Sequence, residues 1–583
     1  MRKNVFIRFW AYLRYYKGSL YLAVFLKIIE AFASVLEPFI LGLIVTELTT
    51  KLIAHTPIDV GKIAFLLVIY AVRGIFSEIG SYGSNYFMTR TVQRSIYDLR
   101  LDLSYKINKI PVSYFDGHQF GDMLGRFTND VEVVSNALQQ SFLQVINAVL
   151  TLLMVIGMVL YLNLQLAIVV IVSIPLTYFS AKFLLNKSQP FFKRQADVLG
   201  DMNGFVQENL TGFNIIKLYG REEASAEEFD GILDELQDVG FKASFISGLM
   251  MPVLNAISDL AYLIIAFWGG FMVITGSLTI GNLQAFVQYT WQIGQPIQTL
   301  TQLAAMLQSA RSSLERIFEV LDEDNEVSEV TETLSGDLTG QVIFNHVDFQ
   351  YNEDKPLIKD FNLEVKPGQM IAIVGPTGAG KTTLINLLMR FYDVTKGAIS
   401  VDGHDIRHLS RQEYRQQFGM VLQDAWLYEG TIKDNLRFAK LDASDEEIVA
   451  AAKAANVDHF IRTLPGGYNM EMNQESNNIS LGQKQLLTIA RALLADPKIL
   501  ILDEATSSVD TRLELLIQKA MKRLMEGRTS FVIAHRLSTI QEADKILVLK
   551  EGQIVEQGTH QSLLDAKGFY YDLYMSQFIQ TAE

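Results

Sequence analysis

The chain has 583 residues, too many for one ordinary domain, and 49% of them are hydrophobic, with a mean hydropathy of +0.19. Its formal net charge of −14 gives no electrostatic support to a nucleic-acid role. It has no cysteine, which excludes disulfides, thiolate metal sites and cysteine nucleophiles.

The apolar excess lies before about residue 310 and points to a membrane half. At the start, Arg2, Lys3, Arg8, Arg14 and Lys17 alternate with aromatic residues, and no small-residue cleavage site precedes the first long apolar span. This segment reads as an interfacial helix on the cytoplasmic leaflet, not a removable signal. Six candidate membrane helices follow, at about 19–48, 62–88, 138–162, 164–187, 244–271 and 280–309. The third and fourth are separated only around Asn163, which predicts a tight hairpin. The polar segments 89–137 and 188–243 are helix-compatible and are expected to prolong the helices into the cytoplasm. With the basic N-terminus inside, six crossings return the C-terminal half to the side where ATP is.

Gln284, Gln288, Gln292, Gln295, Gln298 and Gln302 recur along the sixth helix at steps of three or four, with Thr299 extending the series. That spacing puts them on one face. An uncharged polar stripe in a bilayer faces protein or water. Two readings stay open: the stripe lines a central cavity, or it makes interhelical hydrogen bonds. Tyr289 and Trp291 flank it and offer aromatic surface to a hydrophobic solute. Ionisable groups at depth are costly and are functional or paired. Asn255 and Asp259 lie a turn apart on the fifth helix, Glu30 and Glu37 on the first beside the kink-forming Pro38, and Arg73 and Glu78 on the second. Asp259 and Glu37 are the candidates for attracting cationic amphiphiles; for Arg73 and Glu78 two readings stay open, a simple pair or a place near a membrane face.

Residues 321–335 are acidic and poor in large apolar side chains, a linker pattern. The expected organisation is a transmembrane domain over 1–317, a linker over 318–340 and an α/β nucleotide-binding domain over 341–583.

In that last part, Gly375-Pro376-Thr377-Gly378-Ala379-Gly380-Lys381-Thr382-Thr383 follows the apolar run Met370–Val374 and precedes a helical pattern. This is the strand, glycine loop and helix of a P-loop. Backbone N–H groups and the helix N-terminus favour phosphate, Lys381 reaches the β/γ-phosphates, and Thr382 holds Mg²⁺. Ile499-Leu-Ile-Leu-Asp503-Glu504 reads as a buried strand ending in two carboxylates. Asp503 is the candidate to hold Mg²⁺ through the water shell of Thr382, and Glu504 is the candidate general base. Gln423 can reach the metal or the attacking water. His535, after another apolar strand, can contact the γ-phosphate. Tyr351 either stacks on adenine or simply packs.

Asn478-Ile-Ser480-Leu481-Gly482-Gln483-Lys-Gln485, just upstream of the two-acid strand, resembles the signature motif of ATP-binding-cassette proteins. The order Tyr351, P-loop, Gln423, signature, Asp503-Glu504, Ser508-Val-Asp510, His535 is that family's order. Nearly the whole chain resembles an ABC exporter half-transporter: a six-helix all-α transmembrane domain followed by an α/β P-loop domain. Gly121–Asp130 and Glu208–Lys217 resemble the family's two intracellular coupling segments. The resemblance implies that two such chains meet head to tail. Each ATP then lies between one P-loop and the opposing signature, with Ser480, Gly482, Gln483 and Asp510 among the nucleotide contacts, and the membrane halves alternate between inward- and outward-facing states.

One residue departs from the pattern. The usual signature has two adjacent glycines after the serine, and Leu481 occupies the first. Bulk and lost backbone freedom at a helix N-terminus oppose close approach to phosphate. The site completed by this signature is therefore expected to be impaired, as in heterodimeric bacterial exporters with one degenerate site, whereas Lys381, Asp503, Glu504 and His535 are all present. The expected function is ATP-driven export of amphipathic drugs or lipid-like compounds across a bacterial cytoplasmic membrane. ATP and Mg²⁺ are the expected cofactors, a second half-transporter and membrane lipids the partners, and both termini are expected inside. The alternatives are a homodimeric lipid flippase or peptide exporter and, in another class, an ATP-gated regulator or channel, against which Glu504 argues. A soluble DNA-repair or translation ATPase is excluded by the six apolar spans and the acidic charge.

Overall fold

The structure is a computed structural model. It describes residues 5–326, 330, 332, 338–351, 356–422, 425–472, 479–503, 510–533 and 537–576, with backbone only at 301, 302, 305, 511 and 537–539. The chain forms two compact units, one of Met1–Lys109 with His118–Glu323 and one of Ile110–Gly117 with Asp324–Glu583.

The first unit is helical. Its principal helices are α1 (Val5–Tyr15), α2 (Lys17–Ile53), α3 (Val60–Ile107), α4 (Val131–Leu162), α5 (Leu164–Thr211), α6 (Glu222–Gly248), α7 (Met250–Ile274) and α8 (Ile280–Asp322). Among the described residues, five helical stretches are long and apolar enough to cross a membrane: Lys17–Ile53, Val60–Ile107, Phe120–Leu162, Leu164–Thr211 and Glu222–Ile274. The sixth long helix, α8, has 43 residues, and its glutamines make it less apolar than the others. At 48 residues, α3 and α5 each run roughly 72 Å, more than twice the ~30 Å hydrocarbon thickness. Their polar continuations are therefore helix, as the sequence suggested.

Local chemistry sets the helix ends. Asn163, extended at φ −164°, ends α4 and caps α5, its side chain accepting from the N–H groups of Gln165 (2.9 Å) and Leu166 (3.2 Å). Thr279 caps α8 through the N–H of Asn282 at 3.1 Å. The amphipathic α1 buries Phe9 and Leu13 and exposes Ile7, Trp10 and Tyr15, the pattern of an interfacial helix. Its polar groups tie it down: Tyr12 donates to Asp102 at 2.7 Å, and Arg8 pairs with Asp322 at 2.5 Å.

The second unit is α/β. Its main sheet has the order Gln553–Gly558, Lys545–Lys550, Met370–Val374, Thr529–Ile533, Ile499–Asp503, Phe418–Val421. The last five strands are parallel, and Gln553–Gly558 is an antiparallel edge. The central strands are buried on both faces, which is why they read as unbroken apolar runs rather than alternating ones. A four-stranded antiparallel sheet contains Ile358–Val365, Val342–Phe349 and Lys396–Val401. Two hydrophobic cores result. One holds the P-loop helix residues Leu384, Ile385 and Leu387, and the other holds Ile479, Leu486 and Leu487 of the signature region.

Candidate nucleotide site

The P-loop leaves the C-terminal end of Met370–Val374, a strand flanked on both sides by parallel neighbours. Open α/β sheets bind ligands at that end. Glycine is required by geometry at two kinds of position. A Cβ at Gly375 would lie 2.4 Å from the carbonyl oxygen of Leu549, and Gly378 and Gly380 have φ of +82° and +99°. Gly380 is the N-cap of the helix Lys381–Leu388, so the loop's N–H groups and the helix start converge.

Lys381 folds over its own loop, donating to the carbonyls of Gly375 at 2.8 Å and Pro376 at 3.0 Å. Burial pulls its ammonium below the usual lysine value, and the negative charge of Asp503 partly offsets this. The lysine and Asp503, at the end of its strand, thus act on one site. Thr382 is exposed at the start of the helix, whereas Thr383 is buried. Thr383 accepts from the hydroxyl of Tyr351 at 3.2 Å, and Asn386 donates to that hydroxyl at 3.4 Å. Tyr351 is 45% exposed and stands edge-to-face on Phe349 and Tyr392, both at 4.9 Å. An aromatic face held beside the P-loop helix suits an adenine platform.

The signature forms a complete capping box: Ser480 accepts from the N–H of Gln483 at 3.4 Å, and Gln483 accepts from the N–H of Ser480 at 2.9 Å. Leu481 is the first residue of the helix Leu481–Ala495 and is 41% exposed, while Gly482 is buried. Asp510 caps the helix Thr511–Met525. Gln423, Glu504, His535 and Ser508 lie outside the described residues. The structure thus gathers Tyr351, the P-loop, Lys381, Thr382, Thr383 and Asp503 around one loop. The signature helix belongs to the other core of the same unit.

Sequence reasoning missed part of the site. Ile110–Gly117, including the short helix Val112–Asp116, belongs to the nucleotide-binding unit, where Tyr392 donates to Asp116 at 2.5 Å. Tyr392 therefore touches both this segment and the Tyr351 ring. Gly121–Asp130, the segment that resembles a coupling segment, belongs to the helical unit. Asp130 is buried inside the helical unit, bonded to Ser313 at 2.8 Å and to Arg316. The aromatic Tyr114-Phe115 beside Asp116 was the available signal. Glu208–Lys217 spans the end of α5 and the short helix Phe213–Tyr219, which exposes Phe213, Ile215, Leu218 and Tyr219.

In the helical unit, Arg73 pairs with Glu37 at 2.9 Å, and Tyr70 donates to Glu37 at 2.9 Å. Of the two readings of Arg73 and Glu78, the simple pair does not form, because positions five apart lie on different faces of one helix. Glu30 pairs with Lys27 at 2.8 Å. Each of these carboxylates thus has an adjacent cation, while Asp259 is exposed on α7. Along α8, Gln288, Gln292 and Gln298 are half-buried and Gln295 is exposed; the Gln302 side chain lies outside the description. The Gln292 Oε1 is buried with no hydrogen-bond partner. Tyr289 offers no surface to a solute: it is fully buried, and its hydroxyl donates to the Val35 carbonyl at 2.8 Å, tying α8 to α2 near Pro38. Trp291 is half-exposed.

Two family models match the chain, the ABC transporter transmembrane region over residues 20–297 and the ABC transporter model over 358–507. An uncharacterized ABC transporter ATP-binding protein of Bacillus subtilis, YfiC, is 41% identical over 580 residues, covering 99% of this chain and 94% of that protein. A fatty acid ABC transporter ATP-binding/permease protein of Mycobacterium tuberculosis is 46% identical over 483 residues, covering 83% of this chain and 76% of that protein. The putative multidrug export ATP-binding/permease protein YgaD of Bacillus subtilis is 34% identical over 576 residues, covering 98% and 99%. With its apolar helices, P-loop and signature, the chain belongs to the ABC transporter family, as a multi-pass half-transporter of the bacterial exporter type that binds and hydrolyses ATP to drive transport.

Proposed function

We propose that the chain exports amphipathic drugs or lipid-like compounds across the bacterial cytoplasmic membrane, as the catalytically competent partner in a heterodimer. The observation that carries this reading is Leu481, a large exposed side chain on the first residue of the signature helix. A signature whose N–H groups must approach an opposing phosphate closely is poorly served by that bulk. The intact Lys381, Thr382 and Asp503 support a competent site on the P-loop side. Placing the signature helix and the P-loop helix in different cores also suits sites completed by a second molecule.

The residues divide the work. Gly378, Ala379 and Gly380 present N–H groups to the phosphates, Lys381 neutralises their charge, and Tyr351 supports the adenine. The hydroxyl of Thr382 and the carboxylate of Asp503 are hard oxygen donors that suit Mg²⁺, which would neutralise charge between the β- and γ-phosphates. Glu504 takes the proton of the attacking water, with Gln423 and His535 orienting it. Both termini face the cytoplasm, and the basic residues of the first segment support that orientation.

The glutamine face of α8 is the proposed wall of the solute path. A buried amide oxygen without a partner is costly, and water or a solute polar group in a cavity would satisfy it. A lipid-like carboxylate is the second reading of the cargo, favoured by the 46% identity to a protein named for fatty acids. The test is ATP-dependent accumulation of a fluorescent cationic amphiphile and of a fluorescent fatty acid in proteoliposomes. The double substitution Gln292→Leu with Gln295→Leu is expected to lower transport of the true cargo about tenfold. Unchanged transport and unchanged cargo-stimulated ATPase in that variant would remove the cavity reading.

A further inference from the structure

The acidic stretch after α8 does more than join the units. Glu326 stands four residues beyond Asp322, the last residue of α8, and its side chain is only 18% exposed. It accepts from Arg415 at 2.7 and 3.2 Å and pairs with Arg411 at 2.8 Å. Arg411 also pairs with Asp393 at 2.8 Å, and Arg390 reaches Asp393 at 3.0 Å.

The other edge of Arg415 faces the far end of the P-loop helix. That helix stops at Leu388, with Met389 as its C-cap and Arg390 in the left-handed region at φ +53°. Arg415 donates to the carbonyls of Met389 at 3.2 Å and Arg390 at 2.8 Å, and its guanidinium lies 5.0 Å over the Phe391 ring. The fully buried Tyr414 donates to the Leu388 carbonyl at 2.5 Å. The carbonyl end of a helix favours a cation, and a planar guanidinium held by a carboxylate is a stiff one. The same helix carries Lys381 and Thr382 in its first turn.

We infer that Glu326 and Arg415 are positioning residues for ATP: the segment leaving α8 clamps the C-terminal end of the P-loop helix and thereby sets the pose of Lys381 and Thr382. The inference rests on the reading of those two residues as phosphate and metal contacts. Among the described residues, three arginines and two carboxylates meet in the cluster, so neutralising Glu326 leaves Arg390, Arg411 and Arg415 with Asp393 as the carboxylate that faces them there. Burial raises the Glu326 carboxyl, but the Arg415 hydrogen bonds and the charges of Arg415 and Arg411 outweigh it and hold it below the ordinary glutamate range. A carboxyl depressed in the folded state stays ionised at neutral pH, so the clamp holds there and is lost only as pH falls through that lowered range.

The test uses the full-length chain with its partner in lipid nanodiscs, as wild type, Glu326→Gln and Glu326→Asp. Glu326→Gln is expected to raise the KM for ATP about three- to tenfold with kcat within about twofold, and Glu326→Asp to recover most of the loss. Hydrogen exchange of the amides at 386–391 is expected to rise in Glu326→Gln, while Ile371–Val374 stay protected. Exchange needs no turnover, so a rise there without any transport by the wild type would sustain the clamp and defeat the export reading. An unchanged KM, an exchange increase spread over the whole unit, or equal behaviour of the Asp and Gln variants would overturn the inference.

Discussion

At the P-loop, Gly378 and Gly380 hold positive φ, Gly375 presses against the Leu549 carbonyl, and a lysine is folded over the turn they make. At the signature, a serine and a glutamine close an ordinary capping box, and a leucine stands on the first turn with its side chain exposed. The first region is a glycine loop closed on itself, its lysine bonded to the loop's own carbonyls. The second is a helix end presented outward, whose only specialised feature is a departure from the expected glycine. On the proposed reading, what this chain hydrolyses is held by its P-loop, and what its signature contributes depends on another surface.

The largest expected effect is at the P-loop. Lys381→Ala removes the ammonium that neutralises phosphate charge, and kcat/KM for ATP in nanodiscs is expected to fall about 100-fold or more. A fall of less than threefold would break the comparison, because the P-loop would no longer be the side that matters. A smaller effect is expected at the aromatic platform. Tyr351→Ala should raise the KM for ATP about three- to tenfold, whereas Tyr351→Phe, which keeps the ring and loses only the hydroxyl's bonds to Thr383 and Asn386, should stay within about twofold. If the two variants behaved alike, the hydroxyl rather than the ring would be the working part.

Much of the site was legible because its residues are adjacent in sequence. Gly375 to Thr383 forms one uninterrupted loop and turn, and Ile499–Asp503 is one buried strand, so residue type and order sufficed. The contact from Asp116 to Tyr392 spans 276 residues, and the aromatic pair beside Asp116 marks the segment without naming its partner. Distance also hides the pairing of Glu326 and Arg415, 89 residues apart, of which Glu326 lies in what reads as a solvated linker. In the membrane half, periodicity gave the helices and the glutamine face, since both depend on spacing alone. Pairing between helices does not: that Glu37 of α2 meets Arg73 of α3 depends on the rotation of one helix against the other, which one sequence leaves open. Tyr289 shows the same limit, since its place on the helix was evident and its burial against Val35 was not.

The measurement that bears most directly on the account is ATP hydrolysis by this chain in lipid, alone and with its neighbouring-gene partner, with Leu481→Gly and Glu504→Gln made here. The account predicts low activity alone, a rise of about tenfold or more with the partner, loss of that activity in Glu504→Gln, and recovery of activity by the chain alone in Leu481→Gly. Full activity of the unaltered chain alone, unaffected by Leu481→Gly, would mean that the leucine is tolerated and that two copies of this chain suffice.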